Sequence, residues 1–106
     1  MNGGGHRLER RITINPNTRG PSPRVTFDPN PLIASPGDQI FWTNNDVEPH
    51  WPGLVNPEGT IDRAAFMSTQ IAGNGDVSST FSTIVPATLN YACSIHPDER
   101  GVITVT

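Results

Sequence analysis

Lysine is absent from this 106-residue chain, cysteine occurs once, and no apolar run approaches the length that crosses a bilayer. The single cysteine, Cys93, excludes an internal disulfide, so its thiol is a buried apolar group, a reactive group or a metal donor. Seven arginines stand against ten acidic residues, which gives a formal charge of −3. Because no basic patch is visible, we expect no nucleic-acid partner. The lack of a long apolar run predicts no membrane span.

Glycine and proline, in contrast, are abundant. The chain has 10 Gly and 11 Pro, together well above the roughly 12% of average proteins. They separate short apolar runs, a pattern typical of short strands joined by turns. About seven strands at roughly 8–12-residue spacing predict an all-β sandwich or barrel. The predicted strands cover 11–15, 24–27, 32–34, 39–43, 77–83, 88–92 and 101–106.

The remaining segments are interpreted as turns and loops. Residues 44–53 are predicted to form a loop, and residues 61–67 a helical turn or a covering loop. Residues 1–20 are predicted to be a flexible N-terminal tail, which includes His6, because the first ten are Gly-rich and polar. Residues 21–106 then form a single domain, which suits the length of the chain.

One group of side chains points to chemistry. Cys93 and His96 lie three positions apart directly after a predicted strand, so both side chains can turn toward one point. His50 lies far upstream, in the loop that follows the predicted strand 39–43. Antiparallel packing can bring two such loops together at one end of a sandwich. The resulting two histidines and one cysteine are the trigonal donor set of electron-transfer copper sites.

The segments that carry these residues resemble the cupredoxins, the blue copper proteins related to plastocyanin and amicyanin. The stretch YACSIHPDERGVITVT is similar to their C-terminal ligand loop and last strand. The stretch SPGDQIFWTNNDVEPH is similar to the strand and loop that end in their first histidine ligand. The resemblance covers residues 24–106. It implies a Greek-key β-sandwich of about seven to eight strands that binds one copper ion per chain.

The resemblance also implies a role for each of the three residues. His50 matches the upstream histidine ligand and Cys93 the thiolate ligand. His96 matches the downstream histidine, whose outer edge in this family lies near the surface as the electron exit. Trp42 and Tyr91 are similar to core residues of the two facing sheets.

Two positions depart from the family pattern. Glu99 stands where short-loop members carry the axial methionine, so a carboxylate replaces a thioether as the expected fourth donor. Carboxylate oxygen favours Cu(II), so we expect a lower reduction potential, weaker blue colour and some tolerance of zinc. Trp51 follows His50 where many relatives carry asparagine. The main-chain N–H of Trp51 can still donate to the Cys93 sulfur.

Other fourth donors stay open at this point. Glu48, two residues before His50, is a rival oxygen donor, and Met67 is a rival sulfur donor. Glu99 itself has a plainer interpretation as a solvated acid beside Arg100.

The leading functional hypothesis is one-electron transfer by a copper-binding carrier that is not an enzyme. One alternative is an open copper site that reacts with a small molecule. Copper storage or delivery is another, although two Met and three His are few for it. A domain that has lost metal binding is a third. We expect a monomer that works in the periplasm or outside the cell with an unidentified redox partner protein. The signal peptide of the chain is then removed or lies outside this sequence.

Overall fold

The computed structural model describes residues 8–17 and 24–106. Nine strands form in this part of the chain, and it contains no helix long and apolar enough to cross a membrane. The strands are β1 (Glu9–Pro16), β2 (Val25–Asp28), β3 (Leu32–Ala34), β4 (Gln39–Asn44), β5 (Pro52–Val55), β6 (Ile61–Phe66), β7 (Asp76–Val77), β8 (Ala87–Cys93) and β9 (Arg100–Val105).

The strands form two mixed sheets that pack face to face. One sheet has the order β2-β1-β4-β7 and the other the order β3-β9-β8-β5-β6. The β1–β4 and β3–β9 pairs are parallel, and the other pairs are antiparallel. The predicted all-β sandwich is confirmed.

Alternating side chains build the core between the sheets. In β4 every second residue, beginning at Ile40, is buried, as the two-residue period of a strand requires. Tyr91 of β8 packs edge-on against Trp42, with ring centroids 5.5 Å apart, and against Phe27 at 5.0 Å. Trp42 and Tyr91 have no exposed surface, so their predicted place in the core is confirmed.

The first strand corrects the predicted boundary of the domain. β1 contains the strand predicted at 11–15, but it lies inside the stretch 1–20 that was also predicted to be a tail, and it pairs with β4 on one side and β2 on the other. Because an inner strand of a sheet cannot be a free tail, the domain includes at least Glu9–Pro16. The rest of that stretch, apart from Leu8 and Asn17, lies outside the described residues, and so does His6.

Three segments differ from their predicted secondary structure. Residues 61–67 were predicted to be a helical turn or a covering loop, but β6 occupies most of them and pairs with β5. β5 begins inside the predicted loop 44–53. Pro52 favoured the loop prediction, but a proline is tolerated as the first residue of a strand, where its missing N–H is not needed. In place of the predicted strand 77–83, the structure has the short strand Asp76–Val77 and one isolated bridge at Phe81. The regular pairing stops because the Ser78 hydroxyl, and not a backbone carbonyl, accepts the hydrogen bond from the Trp42 N–H.

Candidate metal centre

Two loops meet at one end of the sandwich. The loop after β4 leads to His50, and the loop between β8 and β9 contains His96 and Glu99. Cys93, the last residue of β8, donates its N–H to the Glu99 carbonyl at 2.9 Å, and the Glu99 N–H donates to the His96 carbonyl at 3.0 Å. These bonds fold the second loop so that its side chains face the first.

Main-chain bonds also fix His50 relative to the second loop. The His50 N–H and C=O both bond to Ile71, at 3.0 and 2.8 Å. The next residue, Trp51, accepts from the Ser94 N–H at 2.8 Å and donates its own N–H to Cys93 Sγ at 3.4 Å. The predicted N–H···S contact is therefore present, and the two loops are joined directly beside the sulfur.

The structure brings together the four side chains that the sequence singled out. One donor atom from each of His50, Cys93, His96 and Glu99 lies within 4.8 Å of the others. Glu99 Oε1 is 3.0 Å from His50 Nδ1 and 3.3 Å from His96 Nδ1. Cys93 Sγ is 3.9 Å from His96 Nδ1.

The four side chains differ in how much of their surface is exposed. His50, Cys93 and Glu99 have no exposed surface, whereas the His96 side chain is 29% exposed. Three of the four side chains are therefore shielded from water, and one imidazole reaches the surface.

Three buried polar atoms of the cluster lack a hydrogen-bond partner: His50 Nδ1 and both carboxylate oxygens of Glu99. His50 Nδ1 and Glu99 Oε1 are close, but they are not aligned as donor and acceptor. Leaving such atoms unsatisfied costs about 1–3 kcal/mol each. A cation bound among them removes that cost, since thiolate, imidazole and carboxylate are all metal donors. The residues present therefore fit a metal ion.

The rival fourth donors lie elsewhere. The Glu48 side chain is 48% exposed and lies 3.9 Å from Arg24. Met67 is buried in the hydrophobic core. Neither belongs to the cluster, whereas the predicted alternative of Glu99 as a solvated acid is wrong, because its side chain is fully buried.

Sequence reasoning missed one member of the site, Asp46. Its Oδ2 lies 2.9 Å from His50 Nε2, on the side of the ring that faces away from the cluster, and 3.4 Å from Arg24 Nε. Asp46 is also buried. An aspartate four residues before a histidine was the available signal, but in a loop that spacing does not place two side chains together.

Charges around His50 shift two pKa values in the metal-free chain. Burial by itself lowers the pKa of His50, but Cys93, Glu99 and Asp46 outweigh it and raise the pKa to about 10. Burial raises the pKa of Asp46, but His50, the Val47 main chain and Arg24 outweigh it, so the net pKa lies below its usual value. Asp46 is therefore an ionised carboxylate near neutral pH.

Comparison with known proteins supports the same interpretation of the fold. No family model matches the chain. A plastocyanin from Nostoc punctiforme is 30% identical over 89 residues, which are 77% of this chain and 64% of that protein. The match thus spans less than two thirds of that relative's length.

Solved structures extend the likeness to nearly the whole chain. A purple cupredoxin from Nitrosopumilus maritimus superimposes with a TM-score of 0.74 at 24% identity, covering 92% of this chain and 99% of that one. A Cu(I) form of an amicyanin variant has a TM-score of 0.67 at 20% identity, covering 92% and 82%. These structures share the two-sheet sandwich.

Proposed function

We propose that this chain, which belongs to the cupredoxins, binds one copper ion and carries single electrons between partner proteins. The observation that supports this proposal best is the cluster of His50, Cys93, His96 and Glu99, in which three buried polar atoms have no hydrogen-bond partner within the protein. The combination of thiolate and imidazole suits copper in both oxidation states.

Copper held by these residues would supply a one-electron couple between Cu(II) and Cu(I). Cys93 and the two histidines are the residues that would supply the thiolate and imidazole donors. Cys93 belongs to an inner strand of its sheet, and His50 is bonded to Ile71 through both main-chain groups. Donors held on a rigid frame move little when the charge of the ion changes, and electron transfer is fast when little has to move.

Glu99 is the proposed fourth donor. Its side chain is fully buried, and Oε1 lies within 3.3 Å of both histidines. A carboxylate stabilises Cu(II) more than a thioether does, so Glu99 lowers the reduction potential. A buried fourth donor also excludes water from the site, which favours a carrier over an enzyme with an open coordination position.

His96 is the proposed contact with the redox partner, because it is the only one of the four side chains with exposed surface. The buried donors also argue against copper delivery, in which the ion has to pass to another protein. Function outside the cytoplasm and a monomeric state stay predictions, which cell fractionation and sedimentation can test.

A Cu(II) titration of the metal-free protein tests the proposal. We expect an intense thiolate-to-copper absorption band that saturates at one equivalent. In Glu99→Met the band shifts toward blue and the potential rises, by about 59 mV for each tenfold gain of Cu(I) binding over Cu(II) binding. Glu99→Gln should give a smaller rise. Glu48→Gln is the matched control, since it removes a nearby acid that is half exposed.

Each contrary outcome has a distinct meaning. If no band forms and zinc binds instead, the proposal of a copper carrier is wrong. If the band forms but does not respond to Glu99→Met or Glu99→Gln, Glu99 is not a donor. Exchangeable water on the metal in that case would favour the open site that reacts with a small molecule.

A further inference from the structure

We propose that Asp46 is a positioning residue that fixes which nitrogen of His50 faces the metal and sets how strongly that nitrogen binds Cu(II). Asp46 Oδ2 and His50 Nε2 are 2.9 Å apart, and both side chains are buried. The inference rests on the proposed function, because it assumes that His50 is a copper donor.

The loop holds Asp46 in place independently of His50. The Asp46 N–H donates to the Asn44 side-chain oxygen at 3.0 Å, and the Asp46 carbonyl accepts from the Asn74 N–H at 2.8 Å. The Asn44 amide in turn donates to the Glu48 carbonyl at 2.8 Å. The carboxylate is thus placed by the loop itself rather than by the imidazole that it contacts.

The contact determines the tautomer of the neutral His50 ring. An ionised carboxylate accepts hydrogen bonds and cannot donate them, so His50 Nε2 must carry the proton in the bond to Asp46. In a neutral imidazole the other nitrogen, Nδ1, then has a free lone pair. Nδ1 is the atom that lies 3.0 Å from Glu99 Oε1, on the side of the candidate donors. Asp46 therefore prepares the ring to bind through Nδ1.

The same contact changes the strength of the donor. A carboxylate that accepts from the outer N–H of a metal-bound histidine makes the ring a more basic ligand. A more basic ligand stabilises Cu(II) more than Cu(I), so Asp46 lowers the reduction potential. Arg24, whose Nε is 3.4 Å from Asp46 Oδ2, opposes this effect in part because it is positively charged. The Arg24 side chain is 47% exposed, so water weakens its opposition.

The chain offers a matched control in Asp38. Asp38 is also buried, and its Oδ2 accepts from Arg10 Nε at 3.0 Å. Its carboxylate also accepts from the main-chain N–H groups of Leu8 and Ser35, and within residues 8–17 and 24–106 no histidine contacts it. Asp38→Asn therefore removes a buried, arginine-paired carboxylate from the same protein without touching the candidate metal centre.

The test compares Asp46→Asn, Asp46→Ala and Asp38→Asn as full-length proteins loaded with copper. Competition titrations measure Cu(II) and Cu(I) affinities, voltammetry measures the potential, and circular dichroism checks the fold. We expect Cu(II) affinity to fall about 10- to 100-fold in Asp46→Ala. The fall should be smaller in Asp46→Asn, whose amide oxygen still accepts from Nε2. Each tenfold decrease in the ratio of Cu(II) affinity to Cu(I) affinity raises the reduction potential by about 59 mV.

A second measurement needs no variant. In the Cu(I) form of the wild-type protein, long-range proton–nitrogen correlation spectra should show His50 protonated at Nε2, with no proton on Nδ1, the nitrogen that binds the metal. Metal binding through Nε2 would overturn the inference. So would an unchanged potential in both Asp46 variants, or an equal rise in Asp38→Asn. If the wild-type protein binds no copper at all, the proposed function fails and this inference fails with it.

Discussion

A buried aspartate lies at each end of strand β4, and the two aspartates differ in the groups that they contact. Asp38 precedes the strand and Asp46 follows it by two residues, and each is a buried carboxylate paired with one arginine. Asp38 accepts from main-chain N–H groups, so it holds the turn at 35–38 and the start of β1 together. Asp46 accepts from the imidazole of His50, a candidate metal donor.

The difference lies in the third partner of each carboxylate, which is the main chain at one end and the imidazole of a candidate metal donor at the other. The carboxylate and the arginine are alike, and the remaining partner decides the role. When that partner is the main chain, loss of the carboxylate affects the free energy of unfolding. When it is a metal donor, loss of the carboxylate also affects the metal.

The largest effect is expected from adding a methyl group to the glycine beside each end. In Gly73→Ala the new Cβ would lie 2.4 Å from the Val47 carbonyl oxygen and 2.7 Å from that of Asp46, and main-chain atoms cannot easily move aside. We expect a loss of about 3 kcal/mol in the free energy of unfolding. Because the displaced loop carries Asp46, copper affinity should fall as well.

Gly37→Ala is the counterpart at the start of β4. Its Cβ would meet nothing within 4 Å, but its φ of +88° disfavours any side chain. We expect a loss of about 1 kcal/mol and unchanged copper affinity. Urea unfolding of the metal-free proteins and copper titration measure both quantities. A change of copper affinity in Gly37→Ala would break the proposed division between the ends.

An intermediate effect is expected for Asp38→Asn. The Ser35 N–H lowers the pKa of Asp38, burial opposes this, and Arg10 and Leu8 lower it further, so the net pKa lies below the ordinary 3.8. A lowered folded-state pKa gives stability that is fully present above 3.8 and disappears as the pH falls through the folded-state value. Near neutral pH we expect Asp38→Asn to cost about 2 kcal/mol in lost charge-assisted hydrogen bonds.

Denaturant unfolding of the wild type and Asp38→Asn across the acidic range measures this difference. The two proteins should converge below pH 3.8 as Asp38 of the wild type becomes protonated. A difference that stays constant at all pH values would mean that the charge of Asp38 contributes nothing.

The smallest effect is expected for the arginines. Arg24 lies 3.4 Å from Asp46 and its side chain is 47% exposed, so Arg24→Gln should change stability by about 0.5 kcal/mol or less. Removing its positive charge leaves Asp46 less opposed, so the potential of the copper protein should fall slightly. Arg10→Gln should leave the potential unchanged. Voltammetry of both variants decides, and equal shifts would show that the two pairs do not differ in their effect on the metal.

Sequence patterns predicted the strands whose side chains alternate and whose ends carry turn residues. Residues 39–43 and 88–92 are such segments, and they form most of β4 and β8. The pattern failed at 61–67, where β6 exists because β5 lies beside it, and not because its own residues alternate. The four candidate donors were predicted to meet and do so. That they bind copper stays a prediction.

Features that depend on neighbours along the chain could be read from the order of the residues. The spacing of Cys93 and His96 after a strand, and the alternation in β4, are properties of consecutive residues. The burial of Glu99 against both histidines and the contact of Asp46 with His50 Nε2 arise only in the folded chain. Those contacts depend on how two distant loops fold against each other, and no local pattern encodes the direction in which a loop side chain points.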